Sequence, residues 1–167
     1  MSMHLKHLTA LLFLFLPALA FAQTAAELDL LMETHTVTTG VAARFALGAA
    51  GMTPPGLSGD EALNNAYQAA FSRGWVRKGP EDAITLQETA FLLMNVLNLK
   101  GGVMYSVFRS PRYAYREMVY QKLILGRKDA GMNLSGLRFL QILGRTLNYS
   151  GEREQMDAML LNSGAIN

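Results

Sequence analysis

Apolar positions recur with a helical period along most of this chain, and capping residues, glycines and prolines interrupt them at regular intervals. Thr24-Ala25-Ala26-Glu27 has the spacing of a capping box, and Leu28, Leu30, Leu31 and Met32 behind it predict a helix to about Thr34. Thr38 suits the N-cap of a second helix, with Val41, Ala42, Phe45, Leu47 and Ala49 available for burial and Gly51 placed to end it. Pro54-Pro55-Gly56 is a connector. Ser58-Gly59-Asp60-Glu61 reads as another capping box. Leu63, Ala66, Tyr67, Ala70 and Phe71 follow on one stripe as far as Gly74. After a loop at Gly79-Pro80, Thr85-Leu86-Gln87-Glu88 opens a helix through Thr89 to Asn98, with Ala90, Leu93, Met94 and Leu97 aligned, and Gly101-Gly102 closes the segment. Ser110-Pro111 pairs a cap with a proline at the first helical position, ahead of Tyr115, Met118, Val119 and Leu123. Ser135 caps a helix carrying Phe139, Leu140, Leu143 and Leu147. A separate last helix is expected from about Glu152 to Leu161, with a frayed end to Asn167. No stretch alternates over the length of a strand, so the expected fold class is all-α.

The pattern repeats. A helix, a loop, an aliphatic residue followed by a Thr or Ser cap, and a second helix recur at Val37-Thr38, Ile84-Thr85 and Leu134-Ser135, with the caps 47 and 50 residues apart. Positions behind each cap agree in kind: Ala43, Ala90 and Leu140; Ala46, Leu93 and Leu143; Ala50, Leu97 and Leu147. The leading helices of the second and third units also align, with Phe71 against Tyr120 and Trp75 against Ile124. Three short helix-loop-helix units are therefore expected, over about 24–52, 58–100 and 110–151.

On these residues the chain resembles the S-layer homology (SLH) family, whose helix-loop-helix repeats open their second helix with an Ile-Thr-Arg-Ala-Glu-like motif. Ile84-Thr85-Leu86-Gln87-Glu88 keeps the Ile, Thr and Glu and has Leu86 at the arginine position. Val37-Thr38-Thr39-Gly40-Val41 and Leu134-Ser135-Gly136-Leu137-Arg138 also lack that arginine in place. The resemblance covers residues 24 to 151. It implies three units packed as one pseudo-threefold module and, from the family's habit of holding proteins to cell-wall polymers, an envelope role. The family's arginine contributes to its anionic polymer site.

The N-terminal segment changes what counts toward function. Lys6 precedes an apolar run from Leu8 to Ala20, broken only by Thr9 and Pro17, and Ala20-Phe21-Ala22 offers small residues at both positions that a signal peptidase reads. The run falls short of the roughly 20 residues of a spanning helix. Residues 1–22 are thus expected to be a cleaved signal peptide, with residues 23–151 as the repeat domain and 152–167 as a C-terminal helix and tail. Export to a bacterial periplasm, or to the cell surface, follows from that reading. The mature chain has no second long apolar segment, so no transmembrane span is expected in it.

Losing Lys6 lowers the formal charge of +2 by one, which gives little support for nucleic-acid binding. The chain has no cysteine, which removes disulfides, thiol catalysis and thiolate metal sites together. Of the three histidines, His4 and His7 fall in the signal peptide and only His35 remains. No nucleophile-elbow pattern accompanies it, and the carboxylates are scattered without calcium-loop spacing. No cofactor and no metal site are expected. The one acidic cluster, Glu81-Asp82 with Glu88, is the only basis for a carboxylate wall hydrolase; loop solvation and helix capping account for the same residues.

The basic residues are the better candidates for binding. Arg73 and Arg77 flank the single tryptophan, Trp75, with Lys78 next to them, a combination suited to stacking on a sugar or pairing with an anion. Arg112 and Arg116 stand four apart on one helix face, near Arg109, Tyr113 and Tyr115. Such a surface suits anionic glycan, acidic protein or lipid headgroups. The expected function is a non-catalytic envelope module with a structural or adaptor role through contact with an envelope protein or periplasmic assembly. The alternatives are a peptidoglycan or wall-polymer binder and, behind it, the carboxylate hydrolase.

Overall fold

The computed structural model describes residues 25–127 and 129–162, with side chains described as far as Met159. The expected signal peptide, the Thr24 cap and the expected tail beyond residue 162 lie outside the described residues. The described fold is all-α. Its helices are α1 (25–33), α2 (Thr39–Ala49), α3 (Gly59–Ser72), α4 (Leu86–Val96), α5 (Val103–Val107), α6 (Pro111–Tyr120) and α7 (Gly136–Asn162). Among the described residues the only β pairing is two isolated antiparallel bridges, Thr38 with Ala83 and Thr85 with Asn133.

Four helices end alike. Gly51, Gly74, Asn98 and Lys122 adopt positive φ just past α2, α3, α4 and α6. The next residue's N–H reaches back to the final turn: Met52 to Leu47 O at 2.9 Å, Trp75 to Ala70 O at 3.0 Å, Leu99 to Met94 O at 2.9 Å and Leu123 to Met118 O at 2.9 Å. This is the Schellman closure, which satisfies the last carbonyls and turns the following side chain back toward the helix. Leu99 and Leu123 are buried by it and Trp75 is half-buried.

The helix starts meet at the centre. The N–H of Val37 donates to Leu134 O at 2.8 Å, and the N–H of Ile84 donates to Val37 O at 3.0 Å. Just outside them, Thr39 N–H bonds Asp82 O, Leu86 N–H bonds Met132 O and Gly136 N–H bonds Thr34 O, at 2.8 to 2.9 Å. Each helix start is thereby tied to the loop that precedes another, and the links close into a ring. Val37, Ile84 and Leu134 lie fully buried inside it. Behind the caps the same phases are buried in turn: Ala42, Thr89 and Phe139, then Ala46, Leu93 and Leu143. All of these except the polar Thr89 belong to one continuous apolar core.

Three expectations change. Phe71 is exposed, because the buried stripe of α3 is Ala62, Ala66, Tyr67 and Ala70; Phe71 stacks on Tyr67 from outside, with ring centroids 5.7 Å apart. Ser58 stands at the N-cap of α3, but its side chain makes no capping bond, and Gly59 enters the helix with a φ of +56°. The separate last helix is instead continuous with the one before it. α7 runs unbroken through Gly144 and Gly151 for 27 residues, about 40 Å. An interior glycine costs about 1 kcal/mol relative to alanine, too little to break a helix anchored by buried Phe139, Ile142, Leu143 and Thr146. Beyond Gly151 the helix leaves the core, and residues 154–159 are exposed.

Candidate functional site

The Schellman turn after α3 sets the position of Trp75. The guanidinium of Arg73 lies 5.2 Å from the Trp75 ring centroid, and its Nη1 donates to Ala69 O at 2.8 Å. Arg73 is thus held between the helix end, whose carbonyls favour a cation, and the face of the indole. Val76 is buried and fixes the chain, while Arg77 points to solvent.

Lys78 anchors the loop. Its Nζ donates to Ala83 O at 3.1 Å and pairs with Glu88 Oε2 at 3.0 Å, and its carbonyl accepts from the Tyr67 hydroxyl at 3.1 Å. Glu88 meanwhile closes the capping box of α4: its Oε2 accepts from Thr85 N–H at 2.8 Å and from the Thr85 hydroxyl at 2.6 Å. Burial acts to raise the Glu88 carboxyl. The bonds from Thr85 and the Lys78 ammonium outweigh it and hold the group below its ordinary value of 4.5.

Trp75, Arg77, Lys78, Glu88, Phe91 and Pro111 line a small pocket, with a cavity volume of about 40 Å³ and partly open to solvent. Pro111 is the first residue of α6, so the structure sets the start of α6 against the tryptophan loop. Arg112 follows directly and Arg116 lies one turn further along, both exposed. Of the two groups of candidates, Trp75 and Arg77 line the pocket and Arg112 lies next in the chain to its Pro111, while Arg73 and Arg116 are outside its lining. Among the described residues, Arg77, Arg112 and Arg116 have no acidic partner. The pocket presents an indole with the unpaired Arg77 beside it.

The acidic candidates are dispersed. Glu81 and Asp82 are exposed; Asp82 Oδ2 accepts from Gly79 N–H at 2.8 Å, and its carbonyl accepts from Thr39. His35 is exposed between α1 and α2. Among the described residues no three His, Asp or Glu side chains gather as a metal set would require, and no helix is long and apolar enough to cross a membrane. Two features escaped sequence reasoning. The Lys78–Glu88 pair spans a loop whose path is not written in its residues, although the capping box marked Glu88. The apolar segment after Gly101-Gly102 was assigned no element from its pattern, yet Val103–Val107 forms α5.

The lowered Glu88 carboxyl carries a sign. Its contribution to stability is present above the unfolded value near 4.5 and is lost as pH falls through the folded value. Glu88→Gln is expected to cost about 1 kcal/mol at neutral pH, with the difference from the parent shrinking as the pH is lowered below about 4.5. Urea denaturation of both proteins across that window measures it; a difference that stays constant with pH would contradict the assignment.

No family model, no curated protein and no solved structure matches this chain.

Proposed function

We propose that this chain is an exported, non-catalytic module of the bacterial envelope, made of three degenerate SLH-like units, that acts as a structural or adaptor element through contact with another protein. The observation that carries the reading is the outer half of α7. An isolated helical segment of this length is marginal in water and ordinarily depends on packing. Here Met156 and Met159 stand exposed on a helix that has left the core, which suits a handle for a partner. The ring of backbone bonds and the shared burial phase behind Thr38, Thr85 and Ser135 support the three-unit reading. The ion pair with Lys78 favours an ionised Glu88, which disfavours it as the general acid of a wall hydrolase.

A second reading rests on the pocket. Trp75 with the unpaired Arg77, and Arg112 and Arg116 beyond Pro111, suits an anionic wall glycan. One experiment separates the two. A photo-crosslinking residue at Met159 is expected to capture a discrete protein in cells, whereas one at Arg127 is not. Purified sacculi are expected not to retain the protein. Retention on sacculi that is lost in Trp75→Ala and Arg77→Ala, without a Met159 adduct, would replace the adaptor reading by the glycan one.

A further inference from the structure

The α5–α6 corner presents an apolar tip that the pocket and the α7 arm do not account for. Four of its side chains point outward: Val103 is 79% exposed, Met104 59%, Val107 65% and Phe108 55%. Isolated exposed apolar residues are ordinary, but a contiguous group on one short element marks an interaction surface. The element is held in this shape from below. Tyr105 is buried with its ring over Gly101, where a Cβ would fall 2.5 Å from it. The Gly102 N–H donates to Glu117 Oε2 at 3.0 Å, and the Phe108 ring stacks on Tyr113 with centroids 5.7 Å apart. The apolar tip is therefore pre-set and needs little ordering to bind.

Charge identifies what would cover it. From Thr89 to Arg116 the chain contains no acidic residue and four basic ones. Lys100 shares a cleft with Glu154 and Asp157, which offset it. Arg109, Arg112 and Arg116 remain at the base of the tip, exposed and without an acidic partner among the described residues. The nearest acid in the chain, Glu117, is half-buried and engaged by Gly102 and Gln121.

We propose that this corner is a peripheral docking surface for an anionic phospholipid bilayer. Val103, Met104, Val107 and Phe108 enter the boundary between headgroups and acyl chains, and the arginines at the base meet lipid phosphates. Tyr113 sits at the headgroup level between them. Interfacial segments combine these parts, an apolar tip with a cationic rim and amphipathic rings. The high exposure of all four apolar side chains favours a bilayer over an acidic protein, because a protein would have to supply a matching apolar cup and a bilayer needs none. The inference is independent of the adaptor reading.

Co-sedimentation of the chain from Gln23 onward, which contains the whole described core, tests it. The protein is expected to sediment with vesicles of phosphatidylglycerol in phosphatidylcholine and weakly with phosphatidylcholine alone. Each arginine near an anionic surface contributes about fivefold to binding. Arg109→Glu with Arg112→Glu is thus expected to abolish the preference for phosphatidylglycerol. Val103→Ser with Val107→Ser, at positions too exposed to disturb the core, is expected to weaken binding about tenfold. Arg127→Glu, an exposed reversal elsewhere, is expected to leave binding unchanged. Absence of sedimentation would overturn the proposal, as would an equal loss from Arg127→Glu, which would mean net charge alone. Retention on immobilised polyglutamate without vesicle binding would assign the corner to an acidic protein instead.

Discussion

Gly136→Ala is expected to lower the melting temperature by about 10 °C or to prevent folding, whereas Gly144→Ala, two turns further along the same helix, is expected to raise it. At Gly136 a Cβ would fall 1.5 Å from the Leu31 carbonyl oxygen and 3.0 Å from Leu31 Cδ1. Both the carbonyl and the glycine belong to backbone, so no side chain can turn away. An ordinary contact requires α1 and α7 to separate by about 2 Å. That movement breaks the bond from Gly136 N–H to Thr34 O and strains the neighbouring one from Val37 to Leu134, two links of the central ring. A cost of about 3–5 kcal/mol follows, at the severe end for a single methyl, and about 2–4 °C is lost per kcal/mol in a domain of this size. At Gly144 nothing lies within 4 Å of the new Cβ, and removing backbone freedom from a helix interior contributes about 0.5–1 kcal/mol of stability. Thermal unfolding followed by circular dichroism measures both. Equal melting temperatures for the parent and Gly136→Ala would show that α1 and α7 do not approach this closely in solution.

Phe139→Ala is expected to remove about 3–5 kcal/mol, against a total stability of about 5–15 kcal/mol for a typical domain. Phe139 is among the largest fully buried side chains and sits in the first turns of α7, inside the core shared by α2, α4 and α7. Truncation deletes a whole ring, and the ring of backbone bonds at the helix starts resists the collapse that would refill the space. Leu137→Ala, two residues earlier and 51% exposed, is expected to change stability by less than about 0.5 kcal/mol. Urea midpoints at unchanged slope give the comparison. Similar losses at the two positions would mean that α7 packs in a different phase.

The candidate site was partly readable before the fold. Arg73 and Arg77 around Trp75 stood out as cations beside the only indole, and Arg112 with Arg116 as a spacing of one helical turn. That Trp75 and Arg77 share a pocket with the start of α6 was not readable, because it depends on Pro111 arriving from another helix. Nor was the fate of Lys78, which pairs with a cap residue across the loop and leaves Arg77 as the loop's unpaired cation.

Local physics, acting over three or four residues, determined most of what the chain alone could establish. Thr38 and Thr85 as caps, Gly51 and Gly74 as helix stops, Pro111 at N1 and the apolar phases behind each cap all express hydrogen bonding and φ preferences of neighbouring residues. Asn98 and Lys122 escaped that reading, since each enters the left-handed region without being glycine, held there by the same closing bonds. Tertiary structure decided three things. It turned Phe71 outward, because α3 needs only its Ala62, Ala66, Tyr67 and Ala70 stripe against the core. It carried α7 through two glycines, because buried Phe139 and Ile142 outweigh the local preference of Gly144 and Gly151. It joined Val37, Ile84 and Leu134, far apart in the chain, by backbone bonds whose donors and acceptors are the same in every residue. Side-chain pattern can mark where such a bond is possible, but only the packing of whole helices determines which strand of backbone arrives to make it.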